Sequence, residues 1–197
     1  MKLMDNSPHE FIVHHKEKDR KRFIGFRHRT FNDTDLLYFI SFLQYHYTSH
    51  SSLENAFFPK KIFKDLTPSA ELIEKALNNF STYFFSLEDV PQRTRKHIAS
   101  PIKNSGCKRL NMYLRWMVRK DRKGVDFGLW ERVKPAQLII PLDLHVARVA
   151  RHFKLLTRPS PDWQSALELT KNLREFDKKD PVKYDFALFA LGVIEKY

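Results

Sequence analysis

The sequence is poor in the residues that build disulfide networks, metal clusters and tight turns. It contains one cysteine, Cys107, and only five glycines among 197 residues. A lone cysteine excludes an internal disulfide and any zinc or iron–sulfur cluster that needs several thiolate ligands. The scarcity of glycine argues against a β-rich or loop-rich fold. The low cysteine content is typical of a reducing compartment, and we expect a cytoplasmic location.

Long hydrophobic runs are also missing. No apolar stretch approaches the roughly 20 residues that cross a bilayer as a helix. The segment Met1–Ser7 has no apolar signal core, so the sequence predicts neither a membrane partner nor secretion. Nine histidines are present without a His-Glu-x-x-His pattern, and we therefore expect no catalytic metal.

What the chain has in excess is positive charge. Lys and Arg number 35 against 23 Asp and Glu, which gives a formal net charge of +12. Such an excess attracts polyanions such as nucleic acid or anionic membrane surfaces. A basic protein without a nucleic-acid role is the alternative on charge alone. With 42% hydrophobic residues and 17 Phe, the chain has enough apolar surface for a packed core.

Apolar residues recur at helical spacing along the chain, and no alternating strand of useful length interrupts them. The pattern predicts an all-α fold, a single helical domain over residues 1–197 with a cleft between two helical lobes. Helices are expected to start at Ser7-Pro8, Asn32, Thr67–Ser69, Pro91, Gly106, Asp143, Ser160–Asp162 and Asp180-Pro181, with helical turns around Phe127–Trp130 and Pro135-Ala136. Their predicted buried faces are Leu36, Ile40, Leu43 and Tyr47; Leu72, Ile73, Ala76, Leu77, Phe80 and Phe84; Leu110, Tyr113, Leu114 and Met117; Val146, Val149, Ala150 and Phe153; Ala166, Leu167, Leu169 and Leu173; and Phe186, Phe189, Ala190 and Val193.

A lysine after a glycine turn is the first candidate for chemistry. Lys108 follows Gly106 by two residues and opens an amphipathic helix. A lysine is a nucleophile only when its amine is neutral, and both the positive end of a helix dipole and the neighbouring Arg109 disfavour the ammonium form. A nucleophilic lysine is the sharper interpretation, and an ordinary solvated lysine is the alternative.

An aspartate at the start of a second helix is the natural partner. Asp143 follows Pro141 and occupies an N-cap position, where backbone N–H groups keep a carboxylate ionised. An ionised carboxylate can stabilise positive charge that develops on a sugar ring. The alternative is a capping residue without chemistry, and the sequence does not show that Lys108 and Asp143 meet.

Basic segments flank these candidates. Arg93–Lys96, Lys103–Arg109 and Arg119–Lys123 can neutralise a phosphate backbone, which would make DNA binding salt-dependent. His145 is a candidate phosphate donor, with packing as the alternative. Trp130 lies in a predicted loop and is a candidate for contact with an extruded base, with packing in the core as the alternative.

The segments Lys103–Leu110 and Pro141–Val149 resemble the helix-hairpin-helix DNA glycosylase superfamily, the HhH-GPD fold. That superfamily carries Gly-x-Lys at its hairpin and Val-Asp-x-His-Val-x-Arg-Val downstream. The residues that fall on this pattern are Gly106, Lys108, Asp143, His145, Val146, Arg148 and Val149. Residues 180–192 are similar to the last superfamily helix, so the resemblance is most specific over residues 100–193. The whole chain is also similar to a bacterial family of uncharacterised proteins related to this superfamily.

The resemblance implies a base excision repair enzyme, a DNA glycosylase with associated β-lyase activity that excises an oxidised purine such as 8-oxoguanine. Lys108 matches the Schiff-base lysine and Asp143 the catalytic aspartate. The expected DNA-binding residues are Lys103, Ser105, Gly106, Arg109, His145 and Arg148. The chemistry needs no redox cofactor or catalytic metal, although a monovalent cation at the hairpin is common in the superfamily. The expected partner is double-stranded DNA with a damaged base, bound by a monomer.

Departures from the superfamily pattern leave alternatives open. Only Gly106 remains of the Leu-Pro-Gly-x-Gly hairpin, and Lys108 and Asp143 are 35 residues apart. That separation is closest to the archaeal 8-oxoguanine glycosylases. N-terminal helices of the bacterial family are expected to be missing, which would make this chain a fragment. The alternatives are a non-catalytic helical DNA-binding protein on the same scaffold and a basic helical protein without a nucleic-acid role.

Overall fold

A computed structural model describes residues 2–63, 70–122 and 124–194, and these residues are mainly helical. The α-helices in these ranges are α1 (Pro8–His14), α2 (Asp33–Ser49), α3 (Glu54–Phe57), α4 (Ala70–Phe84), α5 (Lys108–Val118), α6 (Leu144–His152), α7 (Trp163–Phe176) and α8 (Asp185–Ile194). Short 3-10 helices cover Lys2–Met4, Glu17–Phe23, Gln92–His97, Pro101–Lys103, Pro135–Gln137 and Pro181–Tyr184. The strands β1 (Arg27–His28) and β2 (Phe31–Asn32) form an antiparallel hairpin. The all-α prediction is confirmed. Within the described ranges, no helix has the length and apolarity needed to cross a bilayer.

The chain divides into two compact units. Unit 1 comprises Met1–Ile62 and Asn79–Ile98, and unit 2 comprises Phe63–Asn78 and Ala99–Tyr197, so the boundary falls within α4. The single domain and the cleft between two lobes stay predictions.

Aromatic side chains form the core of unit 1. The rings of Phe57 and Phe80 stack with centroids 4.0 Å apart, and those of Phe42 and Phe84 lie 4.5 Å apart. Full burial of each such side chain contributes about 1.5–3 kcal/mol relative to exposure. The Tyr38 hydroxyl donates to the Phe84 carbonyl oxygen at 2.8 Å, so α2 and the end of α4 are joined by a polar contact as well.

The long helices α2 and α4 differ in how well periodicity predicts their buried faces. All six residues predicted for the buried face of α4 are buried, while the predicted helix start at Thr67–Ser69 lies outside the described residues. In α2, Asn32 is the N-cap as predicted, but Tyr47 is only half-buried and Phe42, off the predicted stripe, is fully buried. The prediction is wrong in part because α2 packs on two sides, with Ile40 against α1 and Phe42 against α4.

Side chains in unit 2 fix the N-termini of α6 and α7. Asp143 caps α6 as predicted, and Asp162, the last residue of the predicted start Ser160–Asp162, caps α7. Their carboxylates accept the N–H groups of Val146 and Ser165 at 2.8 and 2.9 Å. The buried segment 138–142 leads into Asp143 and is anchored where the Ile140 N–H donates to the Thr170 hydroxyl at 3.0 Å.

Four predictions for unit 2 are wrong, wholly or in part. Of the four residues predicted for the buried face of α5, only Leu114 is buried, and that face also includes the polar Asn111 and Arg115, which buried carboxylates and backbone groups accommodate. On α8, the predicted core residues Phe186, Phe189, Ala190 and Val193 are exposed, because α8 buries Asp185, Leu188 and Gly192 instead. Phe153, predicted for the buried face of α6, follows that helix as its C-cap residue and is exposed. Residues 127–130 are not helical, since Phe127 pairs with Lys120 in a β-bridge and Gly128 has a left-handed backbone (φ 61°).

Candidate functional site

The turn before α5 fixes the position of Lys108. Cys107 is the buried N-cap residue with a left-handed backbone (φ 48°), and its N–H donates to the Ser105 hydroxyl at 3.3 Å. A Cβ on Gly106 would come within 2.8 Å of the Pro161 carbonyl oxygen, so only glycine fits this approach. Ser105 and Gly106 therefore shape the turn. The monovalent cation at this turn stays a prediction.

The structure brings Lys108 and Asp143 together. Lys108 is the first residue of α5, and its Nζ donates to Asp143 Oδ2 at 3.0 Å. The other carboxylate oxygen, Oδ1, is the one that caps α6 through Val146. The Asp143 side chain is 10% exposed and the Lys108 side chain 46% exposed. Solvent or a ligand can therefore reach the amine while the carboxylate is held in place.

Electrostatics keep Asp143 ionised. Burial alone would raise its pKa, but the Val146 N–H and the Lys108 ammonium outweigh burial and hold the pKa of this carboxyl below its ordinary value. Burial raises the pKa of the neighbouring Cys107 thiol to about 12, so this cysteine is not a nucleophile at neutral pH. Of Cys107 and Lys108 at the N-terminus of α5, the lysine is therefore the candidate nucleophile.

Lys108 and Asp143 line a pocket of about 270 Å³ with aromatic walls. Trp116 of α5 forms one wall, and Phe186 and Phe189 of α8 form another. The other lining residues are Met112, Arg115, Val125, Pro141 and Asp185. A more open depression of about 400 Å³ shares Lys108 and Asp143 and is completed by Leu142, Leu144, His145 and Pro161. The ion pair is thus accessible both from an aromatic recess and from an open surface.

A buried arginine supports this pocket. Arg115, 1% exposed, donates to Asp185 at 2.5 Å and to Asp126 at 3.2 Å. Its guanidinium carbon lies 4.0 Å from the centre of the Phe186 ring. The arginine thereby joins α5 to the start of α8 and fixes one aromatic wall by a cation–π contact.

Arg119, the C-cap residue that follows α5, extends the charge network. Its guanidinium pairs with Asp126. It also forms a bidentate contact with Asp180, in which the N···O distances are 2.8–3.0 Å. Burial raises the pKa of Asp185 even though Arg115 opposes the shift. Removing either arginine would therefore leave carboxylates in a poorly solvated environment.

His145 lies where α6 and α8 cross. Its Nδ1 is 2.9 Å from Arg148 Nη2 and 3.2 Å from the Gly192 carbonyl oxygen, and its ring meets the edge of Phe189. A Cβ on Gly192 would lie 2.9 Å from the His145 Cβ. These contacts favour a packing role for His145, through which it also positions Phe189 in the pocket.

Trp130 occupies a different environment from the one expected. It lies in a loop as predicted, but it is only 3% exposed and meets the Tyr113 ring edge-on with centroids 5.6 Å apart. This placement does not favour contact with an extruded base, because no ring face is open to solvent. Trp116 lines the pocket instead.

Among the remaining residues expected to bind DNA, Lys103, Arg109 and Arg148 are exposed. Their side chains are accessible to a phosphate backbone, and their roles stay predictions. Within the part of the chain that the structure describes, no group of three or more His, Cys, Asp or Glu side chains is placed to hold a metal ion.

Sequence reasoning missed Arg115, Trp116, Asp185 and the pocket-facing position of Phe189. One signal was present: Lys108 and Arg115 are seven residues apart, which places them on one face of α5. The polar stripe marks a face that turns toward other charges. The carboxylates it meets are far away in sequence, and no local pattern identifies them.

Comparison with known proteins gives a family and no described activity. No curated protein and no solved structure matches the chain. A family model described as "Protein of unknown function (DUF2400)" matches residues 1–194. Because the match covers nearly the whole sequence, the chain belongs to the DUF2400 family.

Proposed function

We propose that this protein is a DNA glycosylase with associated β-lyase activity, which excises an oxidised purine such as 8-oxoguanine through a Schiff base on Lys108. The observation that carries the proposal is the 3.0 Å contact between Lys108 Nζ and Asp143 Oδ2 at the edge of an aromatic pocket. A potential nucleophile in contact with an ionised carboxylate supports a reaction in which one sugar carbon meets both groups.

Base excision begins when a sugar inserts between the two groups. The ammonium of Lys108 releases a proton and the neutral Nζ forms a bond to C1′, while the bond from C1′ to the purine nitrogen breaks. The departing purine takes up a proton, so that charge balances. Asp143 stabilises the positive charge that develops on the sugar ring during this step.

Strand cleavage follows from the covalent intermediate. The sugar ring opens as its ring oxygen takes a proton, which leaves a protonated imine between C1′ and Nζ. Loss of a proton from C2′ then expels the 3′ phosphate by β-elimination. Water hydrolyses the imine and regenerates the free lysine.

The pocket has the walls that a purine needs. Trp116, Phe186 and Phe189 offer ring faces or edges, and π-stacking on such rings is the common way to hold an extruded base. A volume of about 270 Å³ is close to the lower end, about 300 Å³, of ordinary ligand pockets. Exposed Lys103, Arg109 and Arg148 supply cations for the phosphates on either side.

A non-catalytic DNA-binding protein is the second candidate, and the ion pair itself favours it. Lys108 is bound to a carboxylate that also caps α6, an arrangement that serves to join two helix ends without any reaction. In this case the chain binds DNA with the same basic residues, and Lys108 never forms a covalent bond.

Borohydride trapping separates the two candidates. The protein is incubated with duplex DNA that contains 8-oxoguanine in the presence of sodium borohydride, which reduces an imine to a stable adduct. We expect an adduct with the wild type and with Lys171→Gln, an exposed lysine of α7, and none with Lys108→Gln. Absence of an adduct from the wild type on every oxidised purine tested, with DNA still bound, supports the binding protein instead.

A further inference from the structure

A basic pocket in unit 1 lies outside the site described so far. It has a volume of about 390 Å³ and is lined by Arg27, Arg29, Thr30, Asn32, Arg93 and Lys96. The β1–β2 hairpin supplies two of its cations, and the 3-10 helix Gln92–His97 supplies the other two. Two segments far apart in sequence therefore bring four positive side chains to one place.

A buried carboxylate ties these two segments together. Asp35 is fully buried, accepts the Thr94 hydroxyl at 2.8 Å and lies 3.1 Å from His97 Nε2. Arg93 reaches the same carboxylate at 3.2 Å and also donates to the Thr30 carbonyl oxygen at 3.1 Å. Asp35 lies in the first turn of α2 and also accepts the N–H of Asn32 in β2 at 3.1 Å, so these bonds hold the hairpin against the 3-10 helix and the pocket is built into the fold.

The other three cations of the pocket have no carboxylate partner in the described part of the chain. Arg27, Arg29 and Lys96 are exposed, and the nearby Asp33 carboxylate accepts two backbone N–H groups, at 2.7 and 2.8 Å. Cations that share one pocket repel each other, and a bound anion removes that repulsion. The arrangement is therefore more stable with an anion than without one.

The backbone at the tip of the hairpin has an uncommon conformation. Arg29 is in the left-handed region (φ 55°), which is uncommon for a residue other than glycine, asparagine or aspartate. Strained residues of this kind persist where the surrounding structure fixes them, and they concentrate at ligand sites. Here the strain presents a guanidinium beside the pocket.

We infer that this pocket binds phosphodiester groups of a nucleic-acid backbone and gives unit 1 a DNA contact of its own. Guanidinium groups match phosphate oxygens with paired hydrogen bonds. No aromatic side chain is among the lining residues, so the pocket recognises phosphate rather than a base. The inference goes beyond the proposed function because it concerns unit 1 and does not require Lys108 to react.

The test compares two double variants of equal charge. Arg29→Gln with Lys96→Gln removes two cations of the pocket, and Lys18→Gln with Lys21→Gln removes two exposed lysines of unit 1 that do not line it. Binding of each protein to an undamaged DNA duplex is measured between 50 and 200 mM salt. The slope of log affinity against log salt is negative, and each phosphate that the protein no longer neutralises makes it less steep by about 0.9. The slope of the pocket variant should therefore be less steep by roughly 1.8, and its binding at low salt should be about tenfold weaker or worse.

Several results would contradict the inference. Equal losses in the two double variants would mean that only overall charge matters, and an unchanged slope in the pocket variant would mean that no phosphate is bound there. Titration with inorganic phosphate provides the third arm: protection of the wild type against thermal unfolding, with DNA binding of the pocket variant unchanged, would assign the pocket to free phosphate. Failure of borohydride trapping leaves these readouts untouched, so the two proposals can fail separately.

Discussion

Asp143 is the residue whose two oxygens perform two separable tasks. We expect Asp143→Asn to abolish base excision, because a neutral amide no longer stabilises positive charge on the sugar, while DNA binding is retained. The loss of folding stability should stay below about 1 kcal/mol, since asparagine also caps helices. Excision is measured by release of 8-oxoguanine from duplex DNA, and stability by urea unfolding.

Asp162→Asn is the matched control for this change. Asp162 caps α7 and pairs with Arg158 at 2.9 Å, as Asp143 caps α6 and pairs with Lys108, but it lines neither pocket. We expect this variant to excise normally. Normal excision by Asp143→Asn, or an equal loss in both variants, would remove the catalytic role from Asp143.

The lowered pKa of Asp143 also predicts a pH dependence of stability. A carboxyl whose folded pKa lies below its unfolded value, 3.8, stabilises the fold above that value and loses this contribution as the pH falls through the folded pKa. Asp143→Asn removes the group, so the stability difference between wild type and variant should shrink below about pH 4. Urea unfolding at pH 3 and pH 7 measures this stability difference. A difference that is larger at pH 3 than at pH 7 would contradict the lowered pKa of Asp143.

Arg115 is the residue on which the buried charges of unit 2 depend. Arg115→Met leaves Asp185 without this partner, and removing one member of a buried pair costs about 3–5 kcal/mol. Arg109→Met on the same helix changes an exposed side chain and should alter stability by less than about 0.5 kcal/mol. The free energy of unfolding of both variants is measured with urea. Similar losses of stability in the two would show that the buried network contributes little.

At the scale of elements, the sequence predicts helices well and their faces less well. The helix starts at Asn32 and Asp143 are confirmed because capping is a local interaction between neighbouring residues. The buried faces predicted for α5 and α8 are wrong because hydrophobic periodicity assumes that apolar residues are buried. Here Arg115 is buried by carboxylates distant in sequence, and Phe189 is left at a pocket wall.

The crossing of α6 and α8 gives an element-scale prediction. Gly192→Ala places a methyl group against His145, and overpacking of this kind costs about 1–3 kcal/mol, partly offset by the higher helix propensity of alanine. The displaced α8 carries Phe186 and Phe189, so excision should fall with stability. Ala190→Leu enlarges an exposed side chain of the same helix and serves as the control. Unfolding midpoints and excision rates that match the wild type in Gly192→Ala would show that the close approach is not required.

At the scale of the whole molecule, charge is the property that sequence alone establishes. A net charge of +12 predicts DNA affinity that falls linearly in log–log form as salt rises, by about 0.9 per phosphate contacted. Fluorescence anisotropy with a labelled duplex between 50 and 200 mM salt measures the slope. Affinity that is absent at low salt would favour a basic helical protein without a nucleic-acid role.

Only the two central residues of the candidate site could be predicted from the sequence. Lys108 and Asp143 could be paired through their resemblance to a superfamily pattern, and the structure places them in contact. The pocket around them depends on how α5 and α8 pack, which is a property of the assembled unit. The basic pocket of unit 1 depends in the same way on Asp35, a buried acid that no periodicity identifies.

The most direct measurement is the mass of the borohydride-reduced adduct after proteolysis. Wild-type protein is trapped on an 8-oxoguanine duplex, digested with nuclease and protease, and the modified peptide is sequenced by mass spectrometry. We predict a reduced sugar fragment on Lys108. A fragment on a different lysine, or no modified peptide while the protein still binds the duplex, would contradict a Schiff base at this residue.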